Sequence, residues 1–332
     1  MKQQKVLITG ADGVLGSNLV REFLSRDFEV SVFLLTGSKD PLTLSGLPIQ
    51  YYYGNILVEE EISKAVKDHD YVVHAAASTI VFPARLEIIN RVNIEGTKNV
   101  IKAVLEHHVT RLIHVGTANS FGYGSKDNPG RETNPYGAHV YGMDYMDSKR
   151  KAQEMVLEAT QSQGLDAVVV NPTFMIGPYD SKPSSGSMII ALKKGKIPGY
   201  TNGIKNYIAV KDAAVAIANA IDLGKKGECY ILGNHNLSYK SAFETFAKVI
   251  DAKPPQRKLS SFAVVFYGTV NSFLARQLKY TPSVTRQLAK ISCEQQYYSS
   301  AKAKEALKMP TTPIEVAVKE CYDWFLENGY LK

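Results

Sequence analysis

The sequence has little of what marks a secreted, metal-binding or membrane-spanning protein. It holds 3 cysteines in 332 residues, Cys229, Cys293 and Cys321, which are widely spaced and form no CxxC pair. Neither a disulfide framework nor a zinc site is indicated, and reduced thiols are the default. The apolar stretch Val6–Ile8 is too short for a signal peptide, and the uncharged stretch 259–275 falls short of the ~20 apolar residues of a span. We expect a cytoplasmic protein without an integral membrane span and without a metal site.

The chain also lacks any concentration of charge of one sign. Lys and Arg number 39 against 32 Asp and Glu, which gives a net charge of +7. No run of about five or six like charges occurs, so a nucleic-acid partner is not expected, whereas an anionic cofactor is compatible with this charge. The 45% of hydrophobic residues is typical of a globular protein, and the length allows about two domains or one large α/β unit.

Apolar, β-branched runs alternate with amphipathic helical patterns through the first half of the chain, as in a parallel sheet that helices cover on both faces. Six strands are predicted, at Lys5–Thr9, Glu29–Leu35, Ile49–Tyr53, Tyr71–Ala75, Arg111–Gly116 and Asp166–Asn171. Helices are predicted between them at Val14–Arg26, Glu60–Lys67, Leu86–His107 and Asp144–Gln163. This pattern predicts an α/β fold with a Rossmann-type doubly wound parallel sheet.

The alternation stops after Pro172, where turns rich in glycine and proline begin. We predict a dinucleotide-binding Rossmann domain over residues 1–173, to which two short strands within 205–233 return. The remaining parts, 174–204 and 234–332, are predicted to form a smaller, mostly helical substrate-binding domain.

A glycine-rich turn joins the first predicted strand to the first helix. Gly10, Gly13 and Gly16 stand at the spacing TGxxGxxG, which differs by one residue from GxGxxG. In such a turn the first glycine permits the tight bend, the second lets the backbone approach a pyrophosphate, and the third allows close helix–sheet packing. The free N–H groups of the helix N-terminus bind the anion. The alternative is a plain turn with three chance glycines, but the position after the first strand favours a dinucleotide site.

The pattern Tyr-x-x-x-Lys occurs three times, beginning at Tyr145, Tyr207 and Tyr298. Only Tyr145 and Lys149 begin a helix between the fifth and sixth predicted strands, beside the sheet edge where ligands bind. Residues four apart share a helix face, and an ammonium beside a phenol favours the phenolate. A tyrosine titrating near ~10 needs such a neighbour for acid–base work at neutral pH. We interpret Tyr207 as a half-buried strand residue and Tyr298 as a turn residue.

The glycine turn and the Tyr–Lys pair together resemble the short-chain dehydrogenase/reductase family. Further motifs resemble its extended branch, which includes NAD-dependent nucleotide-sugar epimerases and dehydratases, dihydroflavonol-reductase-like and 3β-hydroxysteroid-dehydrogenase-like enzymes. These motifs are Gly54-Asn55-Ile56, His74-Ala75-Ala76-Ala77, Asn93 to Val100, Asn171-Pro172-Thr173 with Gly177-Pro178, Tyr207 to Asp212, and Asp323 to Tyr330.

The resemblance implies a role for each matching position. It implies that Lys149 holds the nicotinamide ribose and lowers the pKa of Tyr145, the acid–base group, while Thr117 hydrogen-bonds the substrate oxygen, with Ser120 in reserve. The implied cofactor-binding residues are Gly10, Asp12, Gly13, Val14, Leu15 and Gly16 at the turn, Asn55 and Ile56 at the adenine, Ala75, Ala76 and Ala77 at the ribose and phosphates, and Lys149, Pro172 and Thr173 at the nicotinamide. We predict Ser78, Phe174, Met175 and Met188 as substrate-binding residues.

Several positions depart from the family pattern. Leu34 and Leu35 end the second strand, where an acidic residue would indicate NAD and a nearby arginine NADP. Lys39 follows as a candidate for the 2′-phosphate, so NADP is favoured over NAD. Asn171 stands where the family commonly has arginine, which weakens a nucleotide-sugar interpretation, and Gly116 replaces a serine.

The sequence therefore predicts an NAD(P)-dependent oxidoreductase that reduces a carbonyl, or oxidises a secondary alcohol, of a small organic substrate. One alternative is a nucleotide-sugar epimerase or dehydratase with tightly bound NAD. Another is a non-catalytic dinucleotide-sensing protein, which would have no use for a proton relay through Tyr145 and Lys149.

Three structural questions stay open in the sequence. The substrate pocket has either a hydrophobic wall or a set of phosphate anchors, and the wall is favoured. The candidates for the wall are Phe174, Met175, Met188, Ile189 and Ile190, with Phe262 and Phe266 as further candidates. The candidates for the anchors are Lys182, Lys193, Lys194 and Lys196. The apolar stretch 259–275 is core, a lid or a membrane-surface contact. The resemblance further implies a homodimer through the helices 86–107 and 144–163.

Overall fold

The computed structural model describes residues 3–37 and 41–331, which form an α/β fold. The strands in this part of the chain are β1 (Lys5–Thr9), β2 (Glu29–Leu35), β3 (Gln50–Gly54), β4 (Tyr71–His74), β5 (Arg111–Val115), β6 (Ala167–Pro172), β7 (Phe174–Ile176), β8 (Ile204–Ala209), β9 (Cys229–Leu232) and β10 (His235–Ser238). The helices are α1 (Val14–Ser25), α2 (Glu59–Val66), α3 (Glu87–Asn90), α4 (Gly96–Glu106), α5 (Asp144–Ser162), α6 (Ser187–Lys193), α7 (Val210–Leu223), α8 (Tyr239–Val249), α9 (Ser261–Leu278), α10 (Arg286–Ile291), α11 (Ala301–Ala306) and α12 (Ile314–Glu327).

Seven parallel strands form the main sheet, in the order β3-β2-β1-β4-β5-β6-β9. The strand order reverses between β1 and β4, the point at which doubly wound sheets bind ligands. The Rossmann-type fold predicted from the alternating pattern is confirmed, with strand ends that differ from the prediction by at most one residue. The predicted single helix 86–107 is α3 and α4 joined by a π-helical segment, Arg91–Glu95.

Side chains from both faces of the main sheet are buried, which explains the continuous apolar runs of its strands. In β1, Val6 and Ile8 pack in the layer that contains α1 and α7. Leu7 lies between them in sequence and packs on the opposite face, in the layer that contains α2, α4 and α5. The alternation along each strand therefore sends neighbouring residues into two separate cores.

A second sheet has three strands in the order β10-β8-β7. β8 pairs in parallel with β7 and antiparallel with β10. The prediction that two strands within 205–233 return to the main sheet is therefore right for β9 and wrong for β8. The reason lies in Tyr207, which is fully buried between the rings of Phe174 and Phe246, in the core of the smaller sheet. An apolar strand pattern predicts that a strand is buried but does not specify in which sheet it lies. The predicted domain boundaries stay a prediction.

Helix α9 covers most of the apolar stretch 259–275, and it is largely exposed. Its buried residues are Gly268 and Ala275, whereas Phe262 is 82% exposed. The stretch is therefore not core, which was one of the three interpretations of the sequence. No helix in the described part of the chain combines the length and the apolar character that a membrane crossing requires.

Candidate active site

The carboxyl ends of β1, β4, β5 and β6 border a cavity of about 570 Å³. Most of the predicted site residues line it: Gly10, Asp12, Gly13, Val14, Leu15, Gly16, Ala75, Ala76, Ala77, Thr117, Tyr145, Lys149, Pro172, Thr173, Phe174 and Met175. The fold thus brings the glycine turn, the Tyr–Lys pair and the start of β7 to one cavity. Asn55, Ile56, Ser78 and Met188 are not among the residues that line it.

The glycine turn is tight and leaves room for a ligand at one position. Gly10 has a φ of +70°, and a Cβ on Gly16 would lie 2.2 Å from the Gly10 carbonyl oxygen. At Gly13, the residue before α1, a Cβ would meet only the Gly10 oxygen, at 3.5 Å. Gly10 and Gly16 are therefore required by the backbone itself, whereas Gly13 borders open space. The first N–H groups of α1, which a helix leaves without intrahelical partners, lie beside that space.

Asp12 places a carboxylate in this turn. The Lys182 ammonium, from the loop after β7, lies 2.7 Å from that carboxylate. The ion pair reduces the repulsion that Asp12 would exert on an anion bound at the N-terminus of α1. It also links the glycine turn to the part of the chain that begins after Pro172.

Lys149 is buried and its ammonium is turned toward β5. Its Nζ donates a hydrogen bond of 2.6 Å to the Val115 carbonyl oxygen. Within the described residues it forms no ion pair with a carboxylate. Burial therefore lowers the pKa of Lys149 from 10.5 to about 8.

Tyr145 lies one turn before Lys149 on α5, and its side chain lines the same cavity as Thr117. Burial raises the pKa of Tyr145, and the Thr117 side chain opposes that rise. The sequence predicted that Lys149 lowers this pKa. The opposing group in the structure is Thr117, and the Lys149 ammonium is hydrogen-bonded to the Val115 carbonyl oxygen.

Asn93, in the π-helical segment, ties the loop after β4 to α5. Its side-chain amide accepts a 2.7 Å hydrogen bond from the Ser78 backbone N–H and donates to the Ser78 carbonyl and, at 2.9 Å, to the Ser148 hydroxyl. Ser148 precedes Lys149, so Asn93 fixes the start of α5 against residues 75–78. In the sequence, Asn93 is part of a family motif without a predicted role of its own. Ser78, predicted to bind substrate, is held in this network through its backbone, and its substrate role stays a prediction.

Asn171 supports Thr117 from the neighbouring strand. Its Nδ2 donates hydrogen bonds to the Thr117 carbonyl, at 3.1 Å, and to the Gln153 side chain, at 2.7 Å. A Cβ at position 116 would lie 2.4 Å from that Nδ2, so only glycine leaves room for the Asn171 amide. The two departures from the family pattern are therefore one local arrangement.

Two histidines lie buried behind Lys149. The ring nitrogens of His74 are hydrogen-bonded to the hydroxyls of Thr9, at 2.8 Å, and Thr97, at 3.0 Å. Both ring nitrogens of His114 lack a hydrogen-bond partner within the described residues. Burial lowers the pKa of His74 to about 3 and that of His114 well below 6.5, and the charge of Lys149 acts in the same direction. Both rings are therefore neutral at neutral pH.

The remaining predicted residues lie elsewhere. Asn55 and Ile56 follow β3: the Asn55 Oδ1 accepts a 3.0 Å hydrogen bond from the Leu57 N–H, and Ile56 is buried against Gly96. Met188 packs in the core of the smaller sheet. The reserve hydroxyl of Ser120 is fully buried. Lys39 lies outside the described residues.

The substrate end of the cavity combines apolar and cationic groups. Phe174 and Met175 line it, and the ammonium of Lys205 in β8 lies 4.7 Å from the centre of the Phe174 ring. Burial lowers the pKa of Lys205 to about 8. Lys205 was not singled out in the sequence, because its strand was assigned to the other sheet.

The strand order, the glycine turn and the Tyr145–Lys149 pair beside Thr117 define an NAD(P)-dependent oxidoreductase of the extended short-chain dehydrogenase/reductase type. The chain belongs to the NAD dependent epimerase/dehydratase family, whose model matches residues 6–233. The resemblance inferred from its motifs is thereby confirmed.

Two relatives and one solved structure match almost the whole chain. A protein of Synechocystis sp. named "Putative dihydroflavonol 4-reductase" is 29% identical over 332 residues, which cover 98% of this chain and 95% of that protein. A sterol-4-alpha-carboxylate 3-dehydrogenase, decarboxylating, from Candida albicans is 27% identical and covers 98% of both chains. The crystal structure of gox2253 is 30% identical, with a TM-score of 0.86 over 99% of this chain and 100% of that one.

Proposed function

We propose that the chain reduces a carbonyl group, or oxidises the corresponding secondary alcohol, of a mainly apolar small molecule, with Tyr145 as the acid–base group. The observation that carries this proposal is that Tyr145, Thr117 and Lys149 line one cavity, in which Thr117 lowers the pKa of Tyr145. Two hydroxyls that line one cavity can both hydrogen-bond one substrate oxygen, which is what reduction of a carbonyl needs.

In the reductive direction, Tyr145 gives its hydroxyl proton to the carbonyl oxygen as charge develops on it, while Thr117 donates a hydrogen bond to the same oxygen. In the oxidative direction the tyrosinate accepts the alcohol proton. Thr117 stabilises the tyrosinate in the free enzyme, because a hydrogen bond to the charged form favours it. Asn171 holds the Thr117 backbone, which keeps its hydroxyl in place.

The dinucleotide fits the cavity by three features of the chain. The N-terminus of α1 offers unpaired N–H groups, Gly13 leaves open space beside them, and Lys149 has an ammonium without a carboxylate partner in the described residues. When bound, the cofactor supplies or accepts the hydride. Lys149, with Pro172 and Thr173 nearby in the cavity, would hold its nicotinamide ribose.

The substrate is proposed to be mainly apolar because Phe174 and Met175 line the cavity. The predicted wall is reduced to these two residues: Ile189 is fully buried in the core of the smaller sheet, Met188 and Ile190 pack against that core, and Phe262 and Phe266 are exposed on α9. The similarity to a sterol-carboxylate dehydrogenase agrees with an apolar substrate.

A nucleotide-sugar epimerase or dehydratase is the second candidate, and Lys205 favours it. Its ammonium lies in the cavity and forms no ion pair within the described residues, so it is available for an anionic group. Among the anchors predicted from the sequence, Lys182 is engaged by Asp12, and the Lys193 ammonium donates to the backbone carbonyls of Ile250 and Asp251. Lys205 alone is a weak site for a diphosphate, which needs several donors.

The two candidates separate by ligand binding followed by turnover. Calorimetry with NADP and NAD comes first, and then NADPH or NADH consumption with apolar ketones, each in parent and Lys205→Met protein. We expect reduction of apolar ketones that survives Lys205→Met. Micromolar binding of a UDP-, GDP- or dTDP-sugar that is lost in Lys205→Met, without ketone reduction, would replace the first candidate by the second.

NADP is proposed over NAD. Leu35 and Thr36, the described residues at the end of β2, carry no carboxylate to bind the 2′-hydroxyl that NAD presents. If Lys39 meets the 2′-phosphate, Lys39→Ala should weaken NADP by roughly 1 kcal/mol and leave NAD unchanged, as calorimetry can measure. Equal effects on both would remove Lys39 from the site.

A cytoplasmic homodimer through α4 and α5 is proposed as the working form. These helices flank a cavity of about 510 Å³ on the protein surface, with Ile101, Leu105 and Met155 in it. Light scattering should give twice the monomer mass, and Met155→Glu should reduce the measured mass.

The proposed cytoplasmic location is supported by the three free cysteines, because unpaired thiols are typical of a reducing compartment.

A further inference from the structure

Helix α9 contacts the rest of the protein along one face, on which Gly268 and Ala275 are the buried residues. A Cβ on Gly268 would lie 2.8 Å from the Ala289 side chain, so α9 packs closely on α10 at this point, and Ala275 is buried two turns further on. The other faces carry large apolar side chains that are 41–82% exposed: Phe262, Phe266, Val270, Phe273 and Leu274.

These five side chains form one stripe that faces away from the protein. At 100° per residue they span about 120° of the helix surface, centred opposite Gly268 and Ala275. None of the five lines the substrate cavity. The stripe is therefore neither part of the core nor a wall of the active site.

The segment that contains the stripe carries charges of one sign only. Residues 252–293 contain no Asp or Glu, although the chain as a whole has 32 of them. The same segment has seven cations: Lys253, Arg257, Lys258, Arg276, Lys279, Arg286 and Lys290. None of these forms an ion pair with a carboxylate in the described part of the chain. An exposed apolar stripe flanked by unpaired cations is the composition of helices that lie in the plane of an anionic lipid surface.

We propose that α9 binds the surface of an anionic lipid bilayer, with its phenylalanines in the boundary between headgroups and acyl chains. A second copy of this chain is a poorer occupant, because a symmetric pairing of the stripe would bring the seven cations of each copy toward those of the other. A bilayer supplies the two complementary features together, an apolar layer and anionic headgroups. The proposal does not depend on the proposed function, although an enzyme that lies on a bilayer is well placed to take apolar substrates from it.

The test is flotation of the full chain with lipid vesicles, with cofactor binding as a measure of folding. One set of vesicles is neutral phosphatidylcholine and the other contains phosphatidylglycerol in addition. The variant Phe266→Ser/Phe273→Ser removes two rings of the stripe. The matched control, Leu223→Ser/Val316→Ser, removes two apolar side chains with 47% and 45% exposure on other helices. A third variant, Lys258→Gln/Lys279→Gln, removes two of the cations.

We expect binding to the anionic vesicles that weakens as salt is raised, at least a tenfold loss in the phenylalanine variant, and no loss in the control. The cation variant should lose about fivefold per charge. In Phe266→Trp, tryptophan emission should shift to the blue with anionic vesicles; the single native tryptophan, Trp324, is buried. Equal binding to both vesicle types, no binding to either, or unchanged binding by the phenylalanine variant would each overturn the proposal. So would a loss of oligomer mass in that variant, because the stripe would then be a subunit interface.

Discussion

The assignment of the glycine turn can be tested by adding the same methyl group at two positions three residues apart. At Gly13 a Cβ has only the Gly10 oxygen nearby, at 3.5 Å, which is ordinary van der Waals contact. The backbone there is extended, with φ −82° and ψ 166°, so alanine adopts it without strain. At Gly16 a Cβ would lie 2.2 Å from the same oxygen and 2.6 Å from the Ala11 Cα. The first site faces the cavity, and the second is the contact between helix and sheet.

The two changes should therefore separate binding from stability. Gly13→Ala is expected to change the free energy of unfolding by less than about 1 kcal/mol, because two effects oppose each other. Alanine reduces the conformational entropy of the unfolded chain, which stabilises the fold, but it is a poorer residue than glycine at the position before a helix. Its methyl group stands where the pyrophosphate must approach, so we expect at least a tenfold loss of cofactor affinity, about 1.4 kcal/mol. Gly16→Ala must move α1 by about 1 Å from the sheet, at a cost of about 2–4 kcal/mol.

Urea unfolding of the protein without cofactor measures stability, and calorimetry with NADP and NAD measures affinity. Parent-like affinity in a folded Gly13→Ala protein would refute the phosphate site at the turn. Parent-like stability of Gly16→Ala would refute the packing that places α1 against β1. Equal loss of stability in both variants would show that Gly13 is needed for the fold rather than for the ligand.

Three further predictions concern the acid–base pair and the histidines behind it. Tyr145→Phe should lower turnover of any accepted carbonyl at least ~10²-fold with nearly unchanged cofactor affinity. Tyr207→Phe deletes a buried hydroxyl that has no hydrogen-bond partner within the described residues, and it should leave turnover within a few-fold. Steady-state rates that do not differ between the two variants would exclude Tyr145 as the acid. Between pH 8 and 10.5 the folded protein has lost the Lys149 proton that the unfolded chain still holds. The free energy of unfolding should therefore rise with pH across this range, by up to about 3 kcal/mol. Urea titrations at several pH values measure this rise, which should be missing in Lys149→Met. Below pH 6.5 the unfolded chain binds a proton at His114 that the folded protein does not bind there, so acid favours unfolding. His114→Leu should therefore be less sensitive to acid than the parent. Identical acid unfolding curves of the two proteins would contradict the buried, neutral state of His114.

The sequence predicted the main sheet well because its signals are local. The apolar strands and amphipathic helices of the first half carry period-2 and period-3.6 patterns, and the glycine turn marks the first crossover. From these follow the parallel sheet and the edge at which ligands bind, and so the meeting of Gly13, Thr117, Tyr145 and Lys149. None of this requires knowledge of contacts between distant segments beyond the fold class itself.

The smaller sheet could not be predicted in the same way. Its strands β7, β8 and β10 have three, six and four residues, and their pairing depends on a cluster of rings from three elements. The sequence therefore assigned β8 to the wrong sheet and missed Lys205 in it. Met188 was expected at the substrate for the same reason: an apolar residue after the last motif is as suitable for the core of the smaller sheet as for the cavity.

Gly116 and Asn171 show where local patterns end and pairing begins. In the sequence they are two unrelated departures, 55 positions apart, and only Asn171 was given a consequence. Val115 pairs with Val170 in the register of β5 and β6, so the next residues along the two strands are neighbours. The Asn171 amide fills the space that a side chain at 116 would need and uses it to hold the Thr117 carbonyl. The missing arginine is therefore weaker evidence against a nucleotide-sugar substrate than the sequence alone implied, because Asn171 is fully buried and is occupied with positioning Thr117. The choice between the two substrate classes thus depends on Phe174 and Lys205, the groups that face the cavity.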